Sequence, residues 1–199
     1  MSVQRAAPDS AQPATPPLRI LPAPEPGSVW RRVWHGLREW VLEKTLDSTH
    51  QQRIRQSRQF LASHRALAAQ SDAVSRKRLF YALRSMDPYV FEEMVLECLH
   101  RRGYPIQRNR RYSGDGGLDG RFLWQGRWCP VQCKRYRDTI HPEHVQEFAH
   151  LVTRQRAPAG LFAHTGRTGW SSRSAASENG RLFFLSGNTL CQYIAEAST

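Results

Sequence analysis

Two short segments near the C-terminal end restrict the fold more than any other feature of the chain. "AGLFAH", residues 159–164, and "RLFFL", residues 181–185, are continuously apolar. Strands without polar alternation are buried on both faces, as in parallel pairs covered by helices. The stretch between them, "WSSRSAASENG", reads as a helix, and so does "HPEHVQEFAHLVTRQ", 141–155, before them. A run of strand, helix and strand implies layers of helices around a sheet.

The segment upstream adds a meander. Asp87 is a suitable N-cap and Pro88 a suitable first helical residue. Phe91, Met94, Val95, Cys98 and Leu99 then form one apolar stripe, and Gly103 ends the helix. Strand-like segments follow at 104–112, 117–124 and 127–135, with "QG" at 125–126 as a tight hairpin turn. The predicted class is α/β: a mixed sheet flanked by helices, preceded by a helical N-terminal segment.

Three regions are expected. Residues 1–27 are rich in Pro and Ala, lack periodicity and read as a flexible tail. Residues 28–86 read as a helical, basic region, and 87–199 as the α/β domain. Within 28–44, Trp30, Val33, Trp34, Leu37 and Val41 recur at helical spacing between arginines. Such an amphipathic helix packs on the main domain or contacts a partner or a membrane surface. Residues 51–84 predict two helices. Between Asp47 and Asp72 they carry Arg53, Arg55, Arg58 and Arg65 and no acid.

Charge points to the partner. The chain has 29 Lys and Arg against 17 Asp and Glu, a formal net charge of +12. That balance favours a polyanion such as nucleic acid, or an anionic membrane surface. No apolar run approaches the roughly 18 residues of a spanning helix, and the N-terminus has no charged-then-apolar signal pattern. Four cysteines, Cys98, Cys129, Cys133 and Cys191, make no dense disulfide framework, which suits a cytoplasmic, reduced protein. No P-loop and no Gly-x-Ser-x-Gly element is present.

The hairpin carries the chemistry. "SGDGGLDG", 113–120, allows a tight bend and the close approach of a ligand, and Asp119 opens the second strand. Gln132 and Lys134 lie two apart on the third strand and face one side, while Cys129, Val131 and Cys133 face the other. With the turn at 125–126, position 119 falls near 132. A carboxylate, an amide oxygen and an ammonium then converge, a set suited to metal-assisted phosphodiester hydrolysis. Mg²⁺ is the expected ion, held by Asp119 and Gln132, with Mn²⁺ as a substitute. Lys134 is one of three lysines beside 26 arginines, and the sole lysine after residue 77. A site needing charge alone would suit Arg, so an ammonium of adjustable pKa is the better reading.

On the upstream helix, Glu92 falls at the edge of the apolar stripe and is expected half-buried, a further metal-facing acid. Glu93 is expected to point to water. Asp115 is read as a shaper of the glycine turn. Arg101, Arg102, Arg108, Arg110 and Arg111 form an acid-free run, extended by Arg135 and Arg137, and are expected to hold DNA phosphates together with Tyr112. Cys129, Cys133, His141 and His144 do not read as zinc ligands. Cys129 and Cys133 stand about 13 Å apart along an extended strand, and both read as buried apolar groups.

These pieces resemble the Mrr-like restriction endonuclease domain of the PD-(D/E)xK nuclease superfamily. The resemblance rests on "FEEMVLECLHRRGY", "SGDGGLDGR", "VQCKRY", "VQEF" and "LFAHTG", in that order, over about 87–191. It implies Mg²⁺-dependent DNA cleavage, with the family's aspartate at Asp119, its Q-x-K pair at Gln132 and Lys134, and its helix glutamate at Glu92. The broader superfamily usually has an acid where this chain has Gln132. The expected function is a restriction-type endodeoxyribonuclease. A non-cleaving DNA-binding module on the same fold and a branched-DNA resolving nuclease are the alternatives, and a homodimer is left open.

Overall fold

A computed structural model describes residues 17–23, 45–109 and 118–197. The reading of 28–44 as an amphipathic helix lies outside them, as do Arg110, Arg111, Tyr112 and Asp115.

Among the described residues, six helices and five strands follow in the order α1 (Ser48–Ala69), α2 (Ala73–Ser85), α3 (Pro88–Arg101), β1 (Ile106–Arg108), β2 (Gly120–Trp124), β3 (Arg127–Lys134), α4 (Pro142–Arg154), β4 (Gly160–His164), α5 (Trp170–Asn179), β5 (Leu182–Leu185) and α6 (Gly187–Glu196). The strands make one mixed sheet in the order β1-β2-β3-β4-β5. The first three pair antiparallel, and β3, β4 and β5 pair parallel. The hairpin turns at Gln125 and Gly126, with φ of 50° and 72°. Two successive left-handed residues match the right-handed strand twist, which is why a glycine sits there.

Capping follows the sequence signals. The Asp87 carboxylate accepts from the backbone N–H groups of Tyr89 and Val90, and Pro88 opens α3. Asp47 and Asp72 cap α1 and α2 in the same way. Gly103, with φ of 92°, follows α3.

Alternate residues of the sheet enter two cores. Phe122, Cys129, Val131, Leu161, Ala163, Phe183 and Leu185 meet side chains of α1, α2, α3 and α6. Phe162, Leu182 and Phe184 meet α4 and α5. Gly160 lets α4 approach closely, since a Cβ there would stand 2.4 Å from Val152 Cγ2.

Three findings differ from the sequence reading. Helix α6 was not expected; its Leu190, Tyr193 and Ile194 are buried. Residues 17–23, read as part of a flexible tail, dock beside β5. The Phe184 N–H donates to the Arg19 carbonyl at 2.8 Å, the Arg19 guanidinium stacks on Phe183, and Leu21 is buried. Of residues 104–109, the described part of the expected 104–112, strand β1 covers Ile106–Arg108.

Candidate active site

The strand register builds the site. Gly120 pairs with Val131, and the Asp119 N–H donates to the Val131 carbonyl at 2.9 Å, so Asp119 lies across from Gln132. The Asp119 Oδ2 also accepts the Cys133 N–H at 2.6 Å, which fixes the carboxylate over the end of β3. Gln132 is buried and Lys134 half-buried, on the face opposite Cys133. Lys134 pairs in parallel register with His164 of β4.

Helix α3 brings Glu92 to the same place. Burial, then the charges of Asp119, Glu93 and Asp87, push its pKa up to about 8, while Lys134 pulls the other way. Burial also raises Asp119 to about 6, against the Cys133 N–H and Lys134. Two half-buried carboxylates and one ammonium therefore sense each other at the ends of two strands. Each acid holds its proton beyond the ordinary range chiefly because burial disfavours its charged form, and for Glu92 the Asp119 charge adds to that. A divalent cation relieves that conflict, and the donor set of two carboxylates and an amide oxygen is the hard-oxygen kind that Mg²⁺ takes. The residues fit the ion.

Gln132 also lines a cavity of about 280 Å³ between β3 and α4, with Glu147, Phe148, His150, Leu151 and Arg154. Its lining joins two apolar side chains to one amide, one acid and two basic groups. Sequence reasoning did not single out Glu147. The "VQEF" segment holds it, but only the docking of α4 on β3 shows that Glu147 and Gln132 share a space.

Beyond Lys134 the chain packs tightly. His164 is fully buried, and burial lowers its pKa to about 4, so it stays neutral beside Lys134. The Thr165 hydroxyl accepts the Tyr136 N–H at 3.0 Å, and the Tyr136 hydroxyl pairs with His144 Nδ1.

Several sequence expectations need correction. Glu93 does not face water. It is 2% exposed, with His50 Nε2 at 2.7 Å and Arg108 Nε at 2.8 Å. Helix α1 covers the far side of α3 and makes a second buried face, which the apolar stripe alone did not reveal. Arg108 is not a phosphate ligand either: its side chain is 5% exposed and also reaches Glu97 at 3.0 Å. Arg101 pairs with Glu97 at 2.8 Å, and Arg102 pairs with Glu196 and stacks on Tyr193. For Glu97, burial opposes ionisation, but the Arg101 hydrogen bond and the charges of Arg108, Arg58 and Arg101 outweigh it and lower the pKa. This part of the arginine run therefore neutralises buried acids.

Of the other expected DNA contacts, Arg135 donates from Nη1 to the Arg84 carbonyl at 2.7 Å and so ties β3 to α2. Arg137 is exposed. All four cysteines are buried and free, and no cluster of three or more His, Cys, Asp and Glu is present among the described residues. No helix among the described residues is long and apolar enough to cross a membrane.

With the geometry in view, comparison with known proteins gives two matches. A restriction endonuclease family model, that of the Mrr catalytic domain, matches residues 83–194. The chain is also 30% identical over 138 residues to the type IV methyl-directed restriction enzyme EcoKMrr of Escherichia coli (strain K12). That alignment covers 66% of this chain and 45% of the relative, so the chain spans less than half of that enzyme's length. No solved structure matches significantly.

Proposed function

Because the chain belongs to the restriction endonuclease family of Mrr-type catalytic domains, we propose that it hydrolyses DNA phosphodiester bonds as a Mg²⁺-dependent endonuclease of restriction type. The observation that carries this reading is the strand register that sets Asp119 across from Gln132 at the end of β3 that carries Lys134, with Glu92 of α3 near enough to feel the Asp119 charge.

Glu92, Asp119 and the Gln132 amide oxygen would hold the ion. When bound, Mg²⁺ polarises the scissile phosphate and offsets the negative charge that builds in the transition state. The carboxylate pair would hold the ion in its fully deprotonated form. The Cys133 N–H holds the Asp119 carboxylate in one orientation at the end of β3. The Lys134 ammonium orients the attacking water or stabilises the phosphoryl oxygens, and as a compact donor it approaches more closely than a guanidinium would. Neutral His164 and the core beneath it exclude water from the inner side. Arg110, Arg111, Tyr112 and Arg137 remain proposed contacts to the DNA backbone. The division into a basic helical region before residue 87 and a nuclease domain from 87 to 199 is likewise part of this proposal, as is a cytoplasmic setting.

One assay tests the whole reading. Purified protein is mixed with supercoiled, linear, methylated and branched DNA, each with Mg²⁺, Mn²⁺ or EDTA. Cuts that need the metal are expected. Retardation of DNA with no cuts in any metal would make the chain a binding module. The name of the Escherichia coli relative includes methyl direction, and preferential cutting of the methylated substrate would carry that property to this chain.

A further inference from the structure

Helix α2 buries Ser75, Leu79 and Leu83 on one side and presents a different stripe to solvent. Val74, Lys77, Arg78, Tyr81 and Ser85 recur at helical spacing and are all exposed. Val74 is 61% and Tyr81 75% exposed, among the most exposed large apolar side chains described. No hydrogen bond or ion pair occupies the Lys77, Arg78 or Tyr81 side chains among the described residues. Other cations of α2 are engaged: Arg76 donates to Asn188, and Arg84 donates from Nη2 to the Thr165 carbonyl at 2.8 Å.

We propose that this stripe of α2 is a docking surface for the backbone of duplex DNA flanking the cleaved bond. The proposal rests on the nuclease reading above and names a part of the substrate path that the family match does not assign.

Charge selects the occupant. Residues 48–85 hold Arg53, Arg55, Arg58, Arg65, Arg76, Lys77, Arg78 and Arg84, and their lone acid is Asp72. The Asp72 carboxylate is already used as the α2 cap, accepting from Val74 and Ser75. A surface of free cations around one aromatic ring suits a polyanion with sugars and bases between its charges. A protein partner would want a larger apolar centre than one valine and one tyrosine.

Position connects the stripe to the chemistry. Thr165 donates its N–H to the Lys134 carbonyl, Arg84 donates to the Thr165 carbonyl, and Arg135 donates to the Arg84 carbonyl. The last turn of α2 is thus pinned at the strand ends that carry Lys134. Tyr81 lies one turn back, and the stripe from Val74 to Ser85 is about 16 Å long at 1.5 Å per residue. That length matches about five nucleotides of one strand at 3.4 Å each. Lys77 and Arg78 would meet phosphates, and Tyr81 would lie against a deoxyribose or base edge.

The test measures binding of a 30-base-pair duplex to the full chain in EDTA, across a salt series, with cleavage followed separately in Mg²⁺. Lys77→Gln with Arg78→Gln should weaken binding about ten-fold and reduce the salt slope by about two, near 0.9 per phosphate contact. Tyr81→Ala should weaken binding several-fold with the slope unchanged. Arg181→Gln, on an exposed residue before β5, serves as the charge control and should change neither. Thermal melts should be unchanged in all variants, because the stripe touches no core. If wild type binds and cuts DNA while the stripe variants keep its affinity and slope, the stripe inference is overturned and the nuclease reading stands. A change of oligomer mass in the variants with DNA affinity intact would overturn it too, by making the stripe a self-association surface. If wild type neither binds nor cuts, the nuclease reading itself has failed.

Discussion

Glu92 and Asp119 retain protons at pH values where a solvated carboxylate would have lost them, and this gives the metal-free protein a pH signature. Between the ordinary Glu value of 4.5 and the folded value of about 8, the native state binds more protons than the unfolded one. Stability without metal therefore falls as pH rises through that window. Melting temperatures in EDTA from pH 5 to 8.5 should decline, and Glu92→Gln should flatten the decline; an unchanged slope in the variant would place the titrating group elsewhere. Asp119→Asn should abolish metal-dependent cleavage and the Mg²⁺-induced rise in melting temperature, leaving metal-free stability equal or higher. A variant that melts far below wild type in EDTA would make Asp119 a structural anchor of the Cys133 N–H instead. Lys134→Ala should lose cleavage by at least a hundred-fold while DNA binding stays within a few-fold, since an electrostatic group of this kind acts mainly in the transition state. Equal losses of binding and cleavage would reduce Lys134 to a phosphate anchor. How far these residues were legible follows from locality. Asp119, Gln132 and Lys134 are related by one two-residue turn, so their register could be counted along the chain. Glu93 could not be read that way, because its partners Arg108 and His50 lie 15 and 43 residues away.

Among the elements, α3 holds an unusual position. One flank sends Glu92 to the strand ends, and the other sends Glu93 and Glu97 into a buried network with His50, Arg58, Arg101 and Arg108. Arg108 comes from β1, so the network fastens helix to strand. Arg108→Met would take one cation from each of two buried acids, leaving Glu93 with His50 and Glu97 with Arg101 and Arg58, and the expected loss is about 3 kcal/mol. Denaturant unfolding would read it, and a loss under 1 kcal/mol would show that water can reach Glu93 and Glu97. Arg58, at 38% side-chain exposure, should matter much less. The α4–β4 contact offers a second test. Gly160→Ala drives a methyl into Val152 and Phe148, and overpacking of this kind typically costs about 1–3 kcal/mol. The elements missed by the sequence reading have physical reasons. Helix α6 follows a cap-type residue, Ser186, whose side chain makes no cap bond, and the Gly187 after it, at φ of 51°, reads as a turn. Its Leu190, Tyr193 and Ile194 do recur at helical spacing and could have found it. The strand pair at 160–164 and 182–185 was legible because it is apolar on both faces and leaves few alternatives.

At the scale of the molecule, the polar, arginine-rich α1 supplies Leu61 and Ala68 to the main core, and α2 supplies Leu79 and Leu83. Few apolar residues per turn made this packing hard to foresee, and they are enough because α3 and α6 offer broad apolar faces. A fragment of residues 87–199 should therefore lack the cooperative melt of the full chain and expose apolar surface to a hydrophobic dye. A cooperative melt near the full-chain value would show that the nuclease domain folds alone. The strands lie side by side in the order in which they are made, yet α1 packs on α6, the first and last of the described helices. Arg101 also reaches past α6 to the Ala197 carbonyl. During synthesis, Glu92, Asp119, Gln132 and Lys134 all emerge long before the helix that closes the core around them. A ribosome that stalls before Gly187 would leave a chain carrying all four proposed site residues and no finished core to hold them.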